Sequence, residues 1–294
     1  MPPVVEIRNL TKRYGSKVAL RDLTVAIGAQ RVVGLIGQNG SGKTTLLDLV
    51  AGMILPTSGV CETLGCSSAG LGEPELARLG VVYQENRFID WMRVDQHLAY
   101  FGSFYENWDR AREAALLRDL DLDPAAKVGH LSGGDVQKLG IITAVCQHPR
   151  LLLLDEPLSS LDPLARESIL RFILKLLDED DVTLIVSSHA LMDIERLVDW
   201  VWCLDQGELR ADLALDELHE QYAEWDVTAL DRVLPDRFSE DFVLEQRADR
   251  HQGRLVVRHG EPALEEFRRR HQVEVAVKRL NLEKIYPLLL KPRP

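Results

Sequence analysis

The sequence RVVGLI at residues 31–36 runs directly into GQNGSGKT at residues 37–44. The apolar run predicts a buried strand, and a helix is predicted from Lys43. A strand, a glycine-rich turn ending in Gly-Lys-Thr and a helix together form the phosphate-binding loop of nucleoside-triphosphate enzymes. The stretch therefore predicts an α/β fold with a nucleotide site at the end of a strand.

Each residue type in this loop has a physical task on a triphosphate. Glycines let the backbone curl so that its N–H groups point inward, and the helix N-terminus adds a favourable dipole. Lys43 is expected to reach the β and γ phosphates, and Thr44 to bind Mg²⁺. The predicted ATP contacts of the loop are Gly37, Asn39, Gly40, Ser41, Gly42, Lys43, Thr44 and Thr45.

A second apolar run, Leu151 to Leu154, ends in Asp155-Glu156-Pro157. Ligands of α/β folds lie at the carboxyl ends of the strands, so both carboxylates are expected beside the phosphates. Asp155 would hold Mg²⁺ through water. Glu156 would orient and polarise the attacking water, which makes it the predicted catalytic base.

Short apolar runs predict the other strands of this part of the chain. They lie at residues 4–10, 23–27, 79–83, 182–187 and 200–204, and a short helix is predicted at 191–198. Between residues 84 and 149 the apolar spacing is instead helical, at 96–105 and 109–120. We predict a nucleotide domain at 1–211 with a helical part at about 86–148.

The pattern changes from residue 212 onward. An acidic helix is predicted at 213–222, strands at 226–230, 242–246, 254–257 and 273–277, and further helices at 261–270 and 282–290. This composition predicts a small α+β domain at 212–294. Because no internal repeat is evident, one nucleotide domain is expected rather than two in tandem.

The sequence Leu131-Ser132-Gly133-Gly134-Asp135 resembles the signature that distinguishes ABC ATPases from other enzymes with a phosphate-binding loop. The resemblance implies a RecA-like core with an antiparallel β subdomain and a helical subdomain. It also implies a head-to-tail dimer in which Ser132, Gly133 and Gly134 contact ATP held by the partner. A hydroxyl, close backbone approach and free helical N–H groups supply the physical means.

Other residues match the same family in the expected order. Tyr14 resembles the aromatic residue that stacks on adenine, and Gln84 resembles the loop glutamine that senses Mg²⁺ and the transport partner. Ser160-Leu161-Asp162 resembles the loop that crosses the dimer, with Asp162 at the nucleotide. His189 resembles the histidine that hydrogen-bonds the γ-phosphate.

The sequence departs from the family at the fifth signature position, where Gln is most frequent and Asp135 stands here. An Asp early in a helix suits the helix dipole. A carboxylate near the partner's nucleotide would also oppose closure by like-charge repulsion. We therefore expect Asp135 to alter the ATP requirement for dimer closure.

The resemblance implies that the chain energises a membrane transporter. No apolar run in the sequence is long enough to cross a bilayer, so the membrane part is expected to be a separate, polytopic subunit. The expected location is the cytoplasmic face of the cell membrane, bound through that subunit, and a homodimer is favoured over a heterodimer. Aromatic residues are dense at 86–108, which suggests a coupling surface. They include Phe88, Trp91, Phe101, Phe104, Tyr105 and Trp108, with Met92 among them.

Leu280 to Tyr286 resembles a tail found in cassettes of exporters with six-helix membrane subunits, so export of a drug, lipid or other amphiphile is favoured over import. The alternative is an ABC ATPase that remodels ribosomes or nucleic-acid complexes. The net charge of -11 disfavours it, because binding a phosphate backbone needs clustered Lys and Arg. A regulatory ligand-binding role for 212–294 stays open.

Overall fold

A computed structural model describes residues 2–159, 161–230, 233–259 and 263–291. Within these ranges the chain forms two compact units, which divide between Asp212 and Leu213. That the two parts act as separate domains, 1–211 and 212–294, remains a prediction.

The described part of the first unit contains two sheets and the helices between their strands. In chain order the strands are β1 (Val5–Tyr14), β2 (Lys17–Ile27), β3 (Val32–Ile36), β4 (Ser58–Thr63), β5 (Cys66–Ser67), β6 (Leu79–Val82), β7 (Leu151–Asp155), β8 (Thr183–Ser188), β9 (Trp200–Asp205) and β10 (Glu208–Ala214). The helices are α1 (Lys43–Val50), α2 (Glu73–Leu76), α3 (Val94–Gly102), α4 (Arg110–Asp119), α5 (Gly133–Val145), α6 (Pro163–Glu179) and α7 (Leu191–Ile194).

The larger sheet has the strand order β10-β9-β3-β8-β7-β6. Strands β6, β7, β8, β3 and β9 pair in parallel, so their carboxyl ends meet at one edge. Every residue of β3, β7 and β8 is buried, as expected for strands covered on both faces. The sheet therefore presents the ends of β3, β6, β7 and β8 side by side.

The smaller sheet of this unit is antiparallel, with the order β2-β1-β4-β5. β1 and β2 extend to Tyr14 and from Lys17, well beyond the predicted 4–10 and 23–27. β4 and β5 were not predicted, because their exposed polar and glycine residues lack an alternating apolar pattern. Alternate side chains of β1 and β2 join α1 and the central sheet in one apolar core.

The helical insertion contains α3, α4 and α5, close to the predicted positions of the first two. α5 begins where Ser132 accepts a hydrogen bond from Asp135 N at 3.1 Å, so the signature lies at a helix N-terminus as the resemblance implies. α6 begins where Asp162 accepts hydrogen bonds from the backbone N atoms of Leu164 and Ala165, with Pro163 in the first turn.

Two predicted helices also end earlier than expected. The helix predicted at 191–198 ends at Ile194, because the chain must turn back before β9 at Trp200. The helix predicted at 213–222 is α8 (Leu215–Gln221), and Tyr222 already begins β11 (Tyr222–Ala229). The buried Tyr222 and Trp225 suit a strand better than the acidic helix that precedes them.

The second unit continues after β11 with β12 (Val243–Ala248), β13 (Gln252–Arg258), α9 (Leu264–His271), β14 (Val273–Arg279) and α10 (Leu282–Leu289). Its four described strands form an antiparallel sheet in the order β12-β13-β11-β14. Trp225, Leu255 and Phe267 lie at the centre of its core. The start predicted for α9, at Glu261, lies outside the described residues.

Among the described residues, no helix combines the length and the apolar character needed to cross a membrane.

Candidate functional site

The predicted phosphate-binding loop connects β3 to α1 at the carboxyl edge of the larger sheet. Lys43 Nζ donates to the carbonyl oxygen of Gly37 at 2.8 Å and lies 3.4 Å from that of Gln38. The lysine side chain is thereby folded back over its own loop. It is held where a triphosphate cradled by the loop would lie.

Two glycines of the loop cannot be replaced without moving the backbone. Gly42 has φ of 110°, and an added Cβ would lie 2.8 Å from the carbonyl oxygen of Ala19. A Cβ on Gly37 would lie 2.5 Å from the carbonyl oxygen of Leu204. The glycines therefore permit both the left-handed turn and the close approach of β2 and β9.

Asp155 at the end of β7 is held on both carboxylate oxygens. Thr44 Oγ1 donates to Oδ2 at 2.7 Å, and Ser187 Oγ donates to Oδ1 at 2.6 Å. Asp155 and Ser187 lie opposite each other in the β7–β8 register. Asp155 is 3% exposed, so these two hydrogen bonds fix a buried carboxylate against the loop.

Glu156 follows in a strained conformation with φ of 49°. Its backbone N donates to Ser187 Oγ at 2.9 Å, and its Oε2 lies 2.7 Å from His189 Nδ1. Its Oε1 lies 3.4 Å from Lys43 Nζ and accepts no hydrogen bond from a described residue. A buried carboxylate oxygen is thus left unsatisfied between Lys43 and His189, where it could accept a proton from a water.

The predicted residues line one open cavity of about 300 Å³. Its lining contains Tyr14, Asn39, Gly40, Gly42, Lys43, Thr44, Thr45, Gln84 and Glu156, together with Lys17 and Ala19. Tyr14 is 49% exposed at the end of β1, and Lys12 Nζ lies 4.9 Å from its ring centroid. Gln84 follows β6 at the same sheet edge.

Six predicted ATP contacts are not among the lining residues: Gly37, Ser41, Ser132, Gly133, Gly134 and Asp162. Gly37 and Ser41 belong to the loop that forms the cavity wall, whereas Ser132 and Asp162 cap α5 and α6. The chain thus holds one set of nucleotide residues in and around its phosphate-binding loop and a second set at two helix N-termini that do not line the cavity. Ser160, which precedes Asp162, lies outside the described residues.

Comparisons with known proteins identify the family of this chain. The ABC transporter family model matches residues 20–159. The chain is 30% identical over 253 residues to the bacitracin transport ATP-binding protein of Bacillus licheniformis, covering 85% of this chain and 81% of that protein. The chain belongs to the ABC transporter family.

Two further similarities agree with this ABC ATPase assignment. The phosphonates import ATP-binding protein of Wolinella succinogenes is 33% identical over 236 residues, covering 74% of this chain and 86% of that protein. The solved structure of a dimeric ATP-binding cassette in a post-hydrolysis state, bound to ADP and Pi, is 25% identical to this chain, with a TM-score of 0.64. The match covers 72% of this chain and 98% of that one. The chain is therefore an ATPase with the fold of an ABC cassette.

The site of this ABC ATPase suits a magnesium ion that arrives with the nucleotide. Asp155 and Thr44 offer oxygen atoms, the ligands that Mg²⁺ prefers. Burial, followed by the charge of the nearby Asp155, raises the pKa of Asp48, one turn after Thr44 on α1. Among the described residues there is no group of three or more His, Cys, Asp or Glu side chains that could hold a metal ion.

Sequence reasoning missed Ser187, which bonds both Asp155 and the backbone of Glu156. It also missed Lys17 and Ala19 on the cavity wall. Ser187 is 32 residues from Asp155 in sequence, and its role depends on the β7–β8 register. The one available signal was its position at the end of an apolar run that is followed by His189.

Proposed function

We propose that this ABC ATPase energises a membrane transporter by ATP-driven closure of two copies of the chain. The observation that carries the proposal is the division of the nucleotide residues. Lys43 and Glu156 line the cavity, whereas Ser132 and Gly133 lie at the N-terminus of α5 and are not among the lining residues. A second chain, placed head to tail, would complete each site.

In this mechanism the phosphate-binding loop holds the triphosphate, with its backbone N–H groups and Lys43 on the β and γ phosphates. Thr44, Asp155 and Gln84 would hold Mg²⁺, which neutralises charge on the phosphates when it is bound. Tyr14 would stack on the adenine ring. Asp162 of the second chain would lie at the same nucleotide.

Hydrolysis needs a group that accepts the proton of the attacking water. Glu156 Oε1 accepts no hydrogen bond from a described residue and lies 3.4 Å from Lys43 Nζ, while His189 Nδ1 lies 2.7 Å from the other oxygen, Oε2. Glu156 would orient the water and accept its proton, while Lys43 and His189 stabilise charge at the γ-phosphate. Loss of that phosphate would let the two chains separate.

The proposed contact with the membrane subunit is an exposed aromatic surface, which we define as Trp91, Tyr100 and Phe104. Their exposed fractions are 72%, 45% and 63%. The ring centroids of Tyr100 and Phe104 lie 5.2 Å apart in an edge-to-face arrangement, so the end of α3 and the turn that follows it present the two rings together. The other aromatic residues of the insertion, Phe88, Phe101, Tyr105 and Trp108, are partly buried. Exposed rings of this density favour a protein partner.

Export of a drug, lipid or other amphiphile is the direction we favour. The match to the bacitracin transport protein covers 85% of 294 residues, so it must extend past Asp212 into the second unit. The match to the phosphonate import protein covers 74%, hardly more than the first unit. Coverage alone does not give a direction, and the feature that favours export is the resemblance of residues 280–286 to the tail of exporter cassettes.

The experiment is affinity purification of the chain in detergent from cells that express its native partners. We expect a polytopic membrane protein to co-purify, and the location would then be the inner face of the membrane. Trp91→Ala with Phe104→Ala should abolish co-purification. A matched control, Met53→Ala with Leu55→Ala, also removes two exposed apolar side chains and should not. Recovery of ribosomes or nucleic acid instead would contradict the proposal.

A further inference from the structure

The loop that carries Gln84 is tied to α5 by the side-chain amide of Asn86. Asn86 Oδ1 accepts from the backbone N of Tyr83 at 3.1 Å, and Nδ2 donates to the backbone O of Tyr83 at 2.8 Å. The same Nδ2 donates to Gln137 Oε1 at 2.9 Å. One side chain thus closes the loop at residues 83–86, which we call the glutamine loop. The same side chain connects this loop to α5, which we call the signature helix because it begins in the signature at 131–135.

The fit between the loop and α5 depends on Gly140. A Cβ at this position would lie 2.9 Å from Asn86 Nδ2 and 3.2 Å from its Cγ. Gly140 lies one turn after Gln137, so the absence of a side chain there lets Asn86 reach α5. The contact is therefore built by three residues of two elements.

The first residue of the loop adjoins the nucleotide site. Tyr83 lies beside Asp48, one turn after Thr44 on α1, and burial together with the charges of Asp48 and Asp155 raises the pKa of Tyr83 to about 12. Tyr83 therefore lies between α1 and Asn86, whose amide donates both to Tyr83 and to Gln137, five residues after Ser132.

Gln137 is 4% exposed, and its Nε2 has no hydrogen-bond partner among the described residues. A buried amide that is half satisfied costs free energy, so this contact stabilises the packing of α5 less than a fully paired one would. The contact is thus suited to an element that changes position, rather than to one fixed for stability alone.

We propose that Asn86 and Gln137 are positioning residues that make the signature helix follow the glutamine loop when ATP binds. The proposal rests on the proposed closure of two chains. With either side chain removed, ATP would still bind the phosphate-binding loop, but Ser132 would no longer be brought to the partner's nucleotide.

The test uses Glu156→Gln as the parent chain, so that bound ATP is not consumed. Asn86→Ala and Gln137→Met should each raise the ATP concentration for half-maximal dimerisation roughly 10-fold, the effect expected for one buried hydrogen bond. ATP binding to the dilute monomer should stay unchanged. The double variant should be no worse than either single variant, because both remove the same contact.

Gln147→Met is the matched control. Gln147 is also a buried glutamine just after α5, with one unsatisfied amide atom, but its Nε2 donates to Leu79 O at 2.8 Å, at the other end of β6. We expect this variant to lower the melting temperature as much as Gln137→Met without changing the ATP dependence of dimerisation. Equal effects of both variants on dimerisation would overturn the proposal.

A second measurement separates this proposal from that of closure itself. Two nitroxide labels would be attached, one to Cys66 in β5, the half-exposed cysteine of the four, and one to Arg118→Cys in α4. They report the distance between the antiparallel sheet of the first unit and the helical insertion. ATP should change this distance in the parent but not in Asn86→Ala. If the parent does not dimerise, closure is wrong, and this distance still decides the role of Asn86. An ATP response that Asn86→Ala retains would overturn that role.

Discussion

The carboxyl edge of the central sheet and the helical insertion hold their polar groups in different ways. At the sheet edge, Asp155 is fixed on both oxygens by side chains from α1 and β8. In the insertion, single contacts such as Asn86 to Gln137 connect α5 to the rest of the unit. The groups proposed for hydrolysis are therefore positioned by buried strands, whereas the signature lies on a helix that the described side chains connect to the rest of the unit by few hydrogen bonds.

The sharpest test of the rigid edge is Glu156→Gln. Gln cannot accept the proton of water, so we expect ATP turnover to fall by at least about 100-fold. ATP binding should be unchanged, because the loop contacts to Lys43 remain. Turnover per site and equilibrium binding of ATP would be measured on the same preparation.

Glu195→Gln is a suitable control for this prediction. It makes the same substitution at the residue that follows α7, and this residue does not line the cavity. It should retain the parent's turnover. Substantial residual turnover in Glu156→Gln would mean that another group accepts the proton, and the assignment of the base would be wrong.

The sequence predicted this edge well because its motifs are local. The loop at 37–44 and the pair Asp155-Glu156 each follow an apolar strand, so their position at the sheet edge follows from strand direction. The bonds of Ser187 could not be predicted, since they depend on which residue of β8 lies opposite Asp155. The contact of Asn86 with Gln137 joins residues 51 apart and depends on helix packing in the same way.

The buried His97 tests the insertion by pH. Its ring lies between Phe88 and Phe101, with Nε2 3.3 Å from Thr143 Oγ1, and burial lowers its pKa from 6.5 to about 4. Between these values the unfolded chain binds a proton that the folded chain does not, so stability falls as pH decreases from about 6.5 toward 4. At pH 5 the loss should be on the order of 1–2 kcal/mol.

Chemical denaturation at pH 7 and pH 5 measures this loss. His97→Gln should reduce the difference between the two pH values, because the titrating group is gone. His130→Gln removes an exposed histidine of the same insertion and should leave the difference unchanged. A pH dependence that persists in His97→Gln would assign it to other groups.

The smallest expected effect concerns Asp135, at the end of the insertion that would face the partner. Its carboxylate accepts from Ser132 Oγ at 2.8 Å and from Lys138 Nζ at 2.9 Å. Burial raises the pKa of Asp135, but hydrogen bonds from Lys138 and Ser132, together with the positive charge of Lys138, hold that pKa below the usual range. The carboxylate is thus ionised and partly neutralised before any nucleotide of a second chain approaches.

Asp135→Gln removes this carboxylate and leaves Lys138 without its partner, so repulsion of the second chain's triphosphate should decrease. The ATP concentration for half-maximal dimerisation of the Glu156→Gln parent should fall about 2- to 5-fold, as expected for a partly exposed charge. Lys138→Gln should shift it in the opposite direction. Both shifts should shrink at high salt, because screening weakens the interaction between the charges. Shifts of the same sign would show that the hydrogen bond between Asp135 and the helix cap Ser132, rather than the charge of Asp135, sets the ATP requirement.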